Sequence, residues 1–231
     1  MQMEKVGYLS TAAVYPVVGN DPFRAPGPSG KCELVTATEV YACADKKLIV
    51  VQQRAPLVRG KRKQFVSELC HWIQSCHFTK VIIVTSSYSH ERVDTQIAGT
   101  QLRFLLSQSL ESREGPTLRD HLHWLELERR HPLPGGIQDA PARGDVDQSE
   151  IFLPGAGFAK DLFEALRSAD VSAALLLLFC SEGDNALDAI QLATAINTWL
   201  HLVDLKTKQS WRIPPSWRLQ YGSTFEQILY D

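Results

Sequence analysis

No apolar run in the 231 residues reaches the roughly 20 positions that a membrane-spanning helix needs, so no membrane partner is expected. An excess of either charge is also missing. Twenty-four Lys and Arg against 26 Asp and Glu leave a net charge of −2, so no global field draws nucleic acid or an anionic surface. Five cysteines (Cys32, Cys43, Cys70, Cys76 and Cys180) are odd in number and lack framework spacing. They read as reduced thiols of a cytosolic or nuclear protein. The opening Met1–Val6 lacks the apolar core of a signal peptide, and no internal repeat is found. What remains, 44% apolar and 22% charged residues, is ordinary for a soluble globule of one domain or two.

The most informative stretch is Val171–Val203. Its first ten residues, through Cys180, are too continuously apolar for a half-exposed strand. A run of that kind bounded by a turn suits a strand covered on both faces, as in a parallel sheet. The turn Ser181–Asn185 follows, then a segment in which Leu187, Ile190, Ala193, Ile196 and Leu200 recur at helical spacing and predict one buried face. Asp184 or Asn185 can cap its first turn, where Asp188 also suits the helix dipole.

Elsewhere Lys5–Tyr15, Glu33–Ala42 and Lys47–Gln53 read as strands, the last two as an antiparallel pair. Lys61–Ser75 reads as a helix with Phe65, Leu69, Trp72 and Ile73 on one face. Lys80–Thr85 reads as a short strand ending in a hydroxyl-rich loop, Ser86–His90. Residues 111–150 form an exposed excursion rich in charge, Pro and Gly, with one helix through Leu118, Leu122 and Leu125. Structure resumes at Ile151–Leu153, ahead of a helix with Leu162, Phe163 and Leu166. The order of elements predicts an α/β fold.

Several constellations invite chemistry. Cys70-His71 and Cys76-His77 suggest a metal, but Cys70 and His77 would lie about 10 Å apart along a helix. Zinc ligands sit roughly 2.0–2.3 Å from the ion, so no metal is expected. His121 and His123 would point to different sides of a helix. Gly155-x-Gly157-x-x-Lys160 could hold an anion between a strand and a helix, or could be a tight turn using positive φ. Arg59–Lys63 reads as a solvated helix entry. If the strands before Ser86 and Glu182 are parallel neighbours, Ser86, Ser87, His90, Glu182 and Asp184 approach one crevice. That crevice would suit a phosphorylase-like or hydrolase-like enzyme, although Ser, Asp and Asn there are also ordinary caps.

The last residues, Leu229-Tyr230-Asp231, are a hydrophobic residue, a tyrosine and any residue closed by a free carboxylate. Such a tail can enter a partner's pocket, burying the apolar groups and pairing the carboxylate with a lysine.

Gly7-Tyr8 with Pro16-x-Val18-Gly19-Asn20, the Ser181–Asn185 turn, Leu153-Pro154-Gly155-x-Gly157 and Ile213-Pro214-x-Ser216-Trp217-Arg218-x-x-x-Gly222-Ser223 together resemble the proteasome assembly chaperone 2 family. The resemblance spans nearly the whole chain. It implies a three-layer α/β sandwich with a mixed, largely parallel central sheet, nucleoside-phosphorylase-like, with no catalysis and no cofactor. It implies a heterodimer with proteasome assembly chaperone 1 that holds proteasome α-subunits while the α-ring forms, in the cytoplasm and nucleus. The family's hydrophobic–Tyr–any motif maps onto Leu229, Tyr230 and Asp231, which would enter a pocket between α-subunits. Residues 1–210 would then be the chaperone domain and 211–231 the tail segment. Family members usually carry a strand and a helix ahead of Gly7, so this chain would be a shortened product or an incomplete gene model, with a sheet edge exposed or a sheet centre removed.

Overall fold

The computed structural model describes residues 3–21, 33–128, 151–204, 211, 213, 214 and 217. Its chain falls into two compact units, residues 1–68 with 183–231, and residues 69–182.

In the first unit β1 (Glu4–Tyr8), β4 (Thr38–Cys43) and β5 (Leu48–Gln53) form an antiparallel sheet in the order β1-β4-β5. Strands β2 (Val18–Asn20) and β3 (Leu34–Thr36) make a separate antiparallel ladder. The expected β4–β5 hairpin is present, with Cys43 opposite Leu48 and Thr38 opposite Gln53. Two expectations are corrected. The single strand 33–42 is broken at Ala37, because the Glu39 carboxylate reaches back to take the Thr36 N–H at 3.1 Å. A side chain competes there with the ladder. The strand from Lys5 ends at Tyr8, and only an isolated bridge between Val14 and Leu57 follows.

Helix α1 (Arg62–Ser75) matches the expected span and buries Phe65, Val66, Leu69, Cys70 and Ile73 at helical spacing. Trp72 is half-buried and meets Phe78 edge-on at 5.7 Å. The division between the units falls within this helix. Residues 59–63 are exposed, as a solvated helix entry requires.

The second unit is built on a four-stranded sheet of β6 (Val81–Tyr88), β7 (Leu102–Leu106), β8 (Leu125–Glu126) and β9 (Ala173–Cys180), in the order β6-β9-β7-β8. β6 runs parallel to β9 from Val81 opposite Ala173 to Tyr88 opposite Cys180. β7 is antiparallel to β9 and parallel to β8, so two of three pairings are parallel. The fold is therefore mixed α/β with a mixed, largely parallel sheet. β9 lies between two neighbours and its first seven residues are buried, as its unbroken apolar run predicts. Between β6 and β7 stand a 3₁₀ turn (Ser89–Glu91) and the short α2 (Asp94–Ile97). α3 (Gln108–Pro116) packs on β7 and β9, and α4 (Ala159–Ser168) packs on β9 and β6. α4 buries the predicted Leu162, Phe163 and Leu166.

Three further readings change here. β6 does not stop at Thr85, because pairing with β9 carries it through Ser86, Ser87 and Tyr88. The helix expected through Leu118, Leu122 and Leu125 is α3 widening into a π turn at Thr117–His121, while Leu125 lies in β8. Pro116 lacks the N–H that another α turn would use. Residues 111–128 are accordingly built into the unit, with Leu118 and Leu127 buried. The rest of the excursion lies outside the described residues.

Ile151–Leu153 is not a strand, although Ile151 is buried. Helix α5 (Ala186–Leu200) returns to the first unit. Its expected buried line fails, since Leu187, Ile190, Ala193, Ile196 and Leu200 all keep some exposure while Leu192, Asn197 and Trp199 are buried.

Candidate functional site

The parallel pairing of β6 and β9 brings their carboxyl ends side by side, as the crevice reading requires. Three of the hydroxyls there are already engaged. Ser87 is buried and donates to the Pro154 carbonyl at 2.9 Å, and Ser89 and Ser181 share a hydrogen bond of 3.0 Å. Ser86 is exposed, as is Glu182. His90 stacks on the Tyr88 ring, centroids 5.2 Å apart, and its Nε2 lies 4.0 Å from Glu91. Among the described residues no serine hydroxyl meets the imidazole, so the geometry of a nucleophile beside its base is not formed. Asp184 serves locally, its Oδ1 accepting the Ala186 N–H at 3.0 Å, while Asn185 makes no side-chain cap.

The glycine turn 154–157 closes over this end of β6. Tyr88 N–H donates to Pro154 O at 3.2 Å. Gly155 (φ +80) and Gly157 (φ +61) both take the left-handed conformation, and a Cβ on Gly155 would stand 2.8 Å from the Tyr88 ring. These glycines are accounted for by a turn and a close approach. The reading of Gly155-x-Gly157-x-x-Lys160 as a motif between strand and helix loses its strand, since no strand precedes the turn.

Each unit also contains one buried ionic cluster that the sequence reading missed. In the second unit Arg103, wholly buried on β7, points its Nε at both oxygens of Glu128 at 3.2 Å. Its Nη1 donates to the carbonyls of Leu102 and Thr100, and the Phe179 ring lies 5.9 Å away. Gln96 donates to Glu128 at 2.9 Å and accepts the Val93 N–H. Burial alone would raise the Glu128 carboxyl, but these hydrogen bonds and the Arg103 charge hold it below its ordinary range. The only signal in sequence was a single cation inside the apolar run Leu102–Leu106.

In the first unit Glu39 is 1% exposed and ties together strands β1, β3 and β4 and the residue that follows β5. It accepts from Tyr41 Oη (2.6 Å), Thr36 N–H (3.1 Å), Lys5 Nζ (3.2 Å) and Arg54 Nη2 (3.5 Å). Burial pushes its pKa up and the donors outweigh it, so the carboxyl titrates below its usual range. Both clusters are structural networks in which most polar atoms are paired, the exceptions being Arg54 Nε and Arg103 Nη2, which are buried without a hydrogen-bond partner. A shallow cleft of about 230 Å³ between Tyr8–Thr11, Pro16–Val18 and Thr36–Thr38 carries no charged lining residue and offers no acid–base chemistry.

Among the described residues no three His, Cys, Asp or Glu side chains converge. Cys43, Cys70, Cys76 and Cys180 are in no disulfide, and burial raises the thiol of Cys70. No helix of the described residues is long and apolar enough to cross a membrane. The proposed docking residues Leu229, Tyr230 and Asp231 lie outside the described residues. Upstream of them, Trp211 Nε1 donates to Thr194 Oγ1 on α5 at 2.8 Å, which anchors the start of the tail segment.

Comparison with known proteins gives these arrangements a context. Residues 1–199 match the model of the PAC2 family. The chain is 38% identical over 232 residues to the zebrafish (Danio rerio) protein named proteasome assembly chaperone 2, covering 100% of this chain and 85% of that one. It is 33% identical over 238 residues to the human protein of the same name, covering 100% and 86%. Among solved structures it is similar to Pyrococcus furiosus PbaA, described as an archaeal homolog of proteasome-assembly chaperone, with a TM-score of 0.57 at 14% identity. That alignment covers 89% of this chain and 73% of PbaA, and bears on the fold alone.

Proposed function

The chain belongs to the PAC2 family, and from that premise we propose that it is a non-catalytic proteasome assembly chaperone. It pairs with proteasome assembly chaperone 1 and promotes formation of the α-ring of the proteasome core particle, in the cytoplasm and nucleus. Residues 1–210 supply the body, with the three-layer, nucleoside-phosphorylase-like arrangement. Residues 211–231 supply a tail whose Leu229, Tyr230 and Asp231 dock between neighbouring α-subunits. The observation that carries the reading is the match, over the whole chain, to proteins named proteasome assembly chaperone 2 at 33–38% identity.

The anchor at Trp211 gives the tail a physical role. Asp231 lies twenty residues beyond Trp211, a reach of at most about 70 Å when extended. A short apolar tail is a weak ligand alone, and tethering to a body already held by a partner raises its effective concentration. Tyr230→Ala, or one residue added after Asp231, is expected to weaken α-subunit capture by the purified heterodimer about tenfold or more, with the melting temperature unchanged. Equal capture by wild type and both variants would remove the tail from the mechanism. The enzyme reading is tested separately by thermal shift with phosphate and nucleosides. A ligand at about 100 times its dissociation constant adds roughly 2.7 kcal/mol, and such a shift would count against a non-catalytic chaperone.

A further inference from the structure

Helix α5 carries ten apolar residues in fifteen, yet buries none of them before Leu192. Leu187 is 79% exposed, Ala189 is exposed, and Ala186 and Ile190 are half-exposed. The chain's own cover reaches this helix further along, where the Trp211 indole seats on Thr194. Residues 187, 190 and 194 follow one another at helical spacing, so the uncovered patch continues a surface that is covered one turn later. Asp184 and Asp188 rim the patch, neither is in an ion pair among the described residues, and no Lys or Arg occurs from Gly183 to Leu200.

We propose that the amino-terminal half of α5, centred on Leu187, is the surface that receives the partner chain, and that the partner offers an apolar side chain rimmed by Lys or Arg. Charge selects this occupant over a second copy. A two-fold contact centred on Leu187 would set Asp184 and Asp188 against the same pair, with no cation of this helix to offset them. The inference rests on the heterodimer reading above and assigns its surface.

The test titrates purified proteasome assembly chaperone 1 against wild type, Leu187→Asp, the double variant D184N/D188N, and Ile97→Asp as an exposed apolar control on the other unit. Asparagine keeps the capping acceptor at position 184, so the double variant removes charge and spares the cap. Leu187→Asp is expected to weaken binding at least about tenfold. D184N/D188N is expected to lower the association rate and flatten its salt dependence. Ile97→Asp should bind as wild type, and all variants should melt within a degree or two of it. Wild-type affinity in Leu187→Asp and D184N/D188N would overturn the surface while leaving the heterodimer standing. No binding by wild type would overturn the partner reading itself. A self-dimer in sedimentation that Leu187→Asp abolishes would make the occupant a second copy and overturn the charge argument.

Discussion

Strand β9 and helix α5 are neighbours in sequence, both rich in apolar residues, and opposite in fate. Seven of the eight residues of β9 are buried, whereas α5 buries nothing before Leu192. β9 finds its cover within its own unit, from β6, β7, α3 and α4. Among the described residues the first turns of α5 bury no side chain. Apolar content thus measures how much cover an element needs, and leaves open which molecule supplies it.

The largest expected effect tests the sealed half of that comparison. Leu176 is wholly buried in β9, flanked by Val84 of β6 and Phe104 of β7. Leu176→Ala should cost about 3–5 kcal/mol in a denaturant titration, the sum of lost transfer energy and an unrelaxed cavity. A loss below about 1 kcal/mol would mean that this sheet is less tightly packed than its burial implies.

A smaller effect is expected at Glu39, which organises the first unit by charge where β9 organises the second by apolar packing. Glu39→Ala strands the Tyr41 hydroxyl and the Thr36 N–H and leaves Lys5 and Arg54 to rehydrate. Because both cations are partly exposed, the cost should be about 2–3 kcal/mol, the low end for breaking a buried pair. The pH dependence follows from the sign of the shift. The Glu39 carboxyl is held below its unfolded value, so its contribution is complete above the ordinary carboxylate range and is lost as pH falls through the folded pKa. Glu128 has the same sign. Melting temperature followed from pH 6 down to 3 should therefore fall less steeply in Glu39→Gln than in wild type. Parallel curves would show that Glu39 does not carry the acid sensitivity.

What sequence could disclose divides along the same physical line. Elements whose burial is settled by their own period or run were legible: α1 with Phe65, Leu69 and Ile73, α4 with Leu162, Phe163 and Leu166, the β4–β5 hairpin, and β9. Elements whose form depends on a distant partner were not. Ala37 breaks a strand because of where the Glu39 side chain goes. Ser86 and Ser87 are strand residues because β9 continues beside them, and Ser87 then turns its hydroxyl to Pro154, away from any base. Arg103 disguised β7, since a cation inside an apolar run reads as a break until Glu128 is seen to meet it. The face of α5 failed for a related reason: periodicity identified an apolar line, but burial of that line requires cover that the described residues do not supply.

The smallest expected effect is the most discriminating for the comparison. Leu187→Ala removes a large apolar side chain from a helix at a position 79% exposed. Leu and Ala have nearly equal helix propensity, and little transfer energy is lost from a side chain already in water, so stability should change by no more than about 0.5 kcal/mol. The same substitution in β9 costs several times as much, although both remove the same atoms. If Leu187→Ala instead lowers the stability of the isolated chain by about 1.5 kcal/mol or more, Leu187 is covered within the monomer. The open half of α5 would then belong with β9, and the need for an outside partner at that surface would disappear.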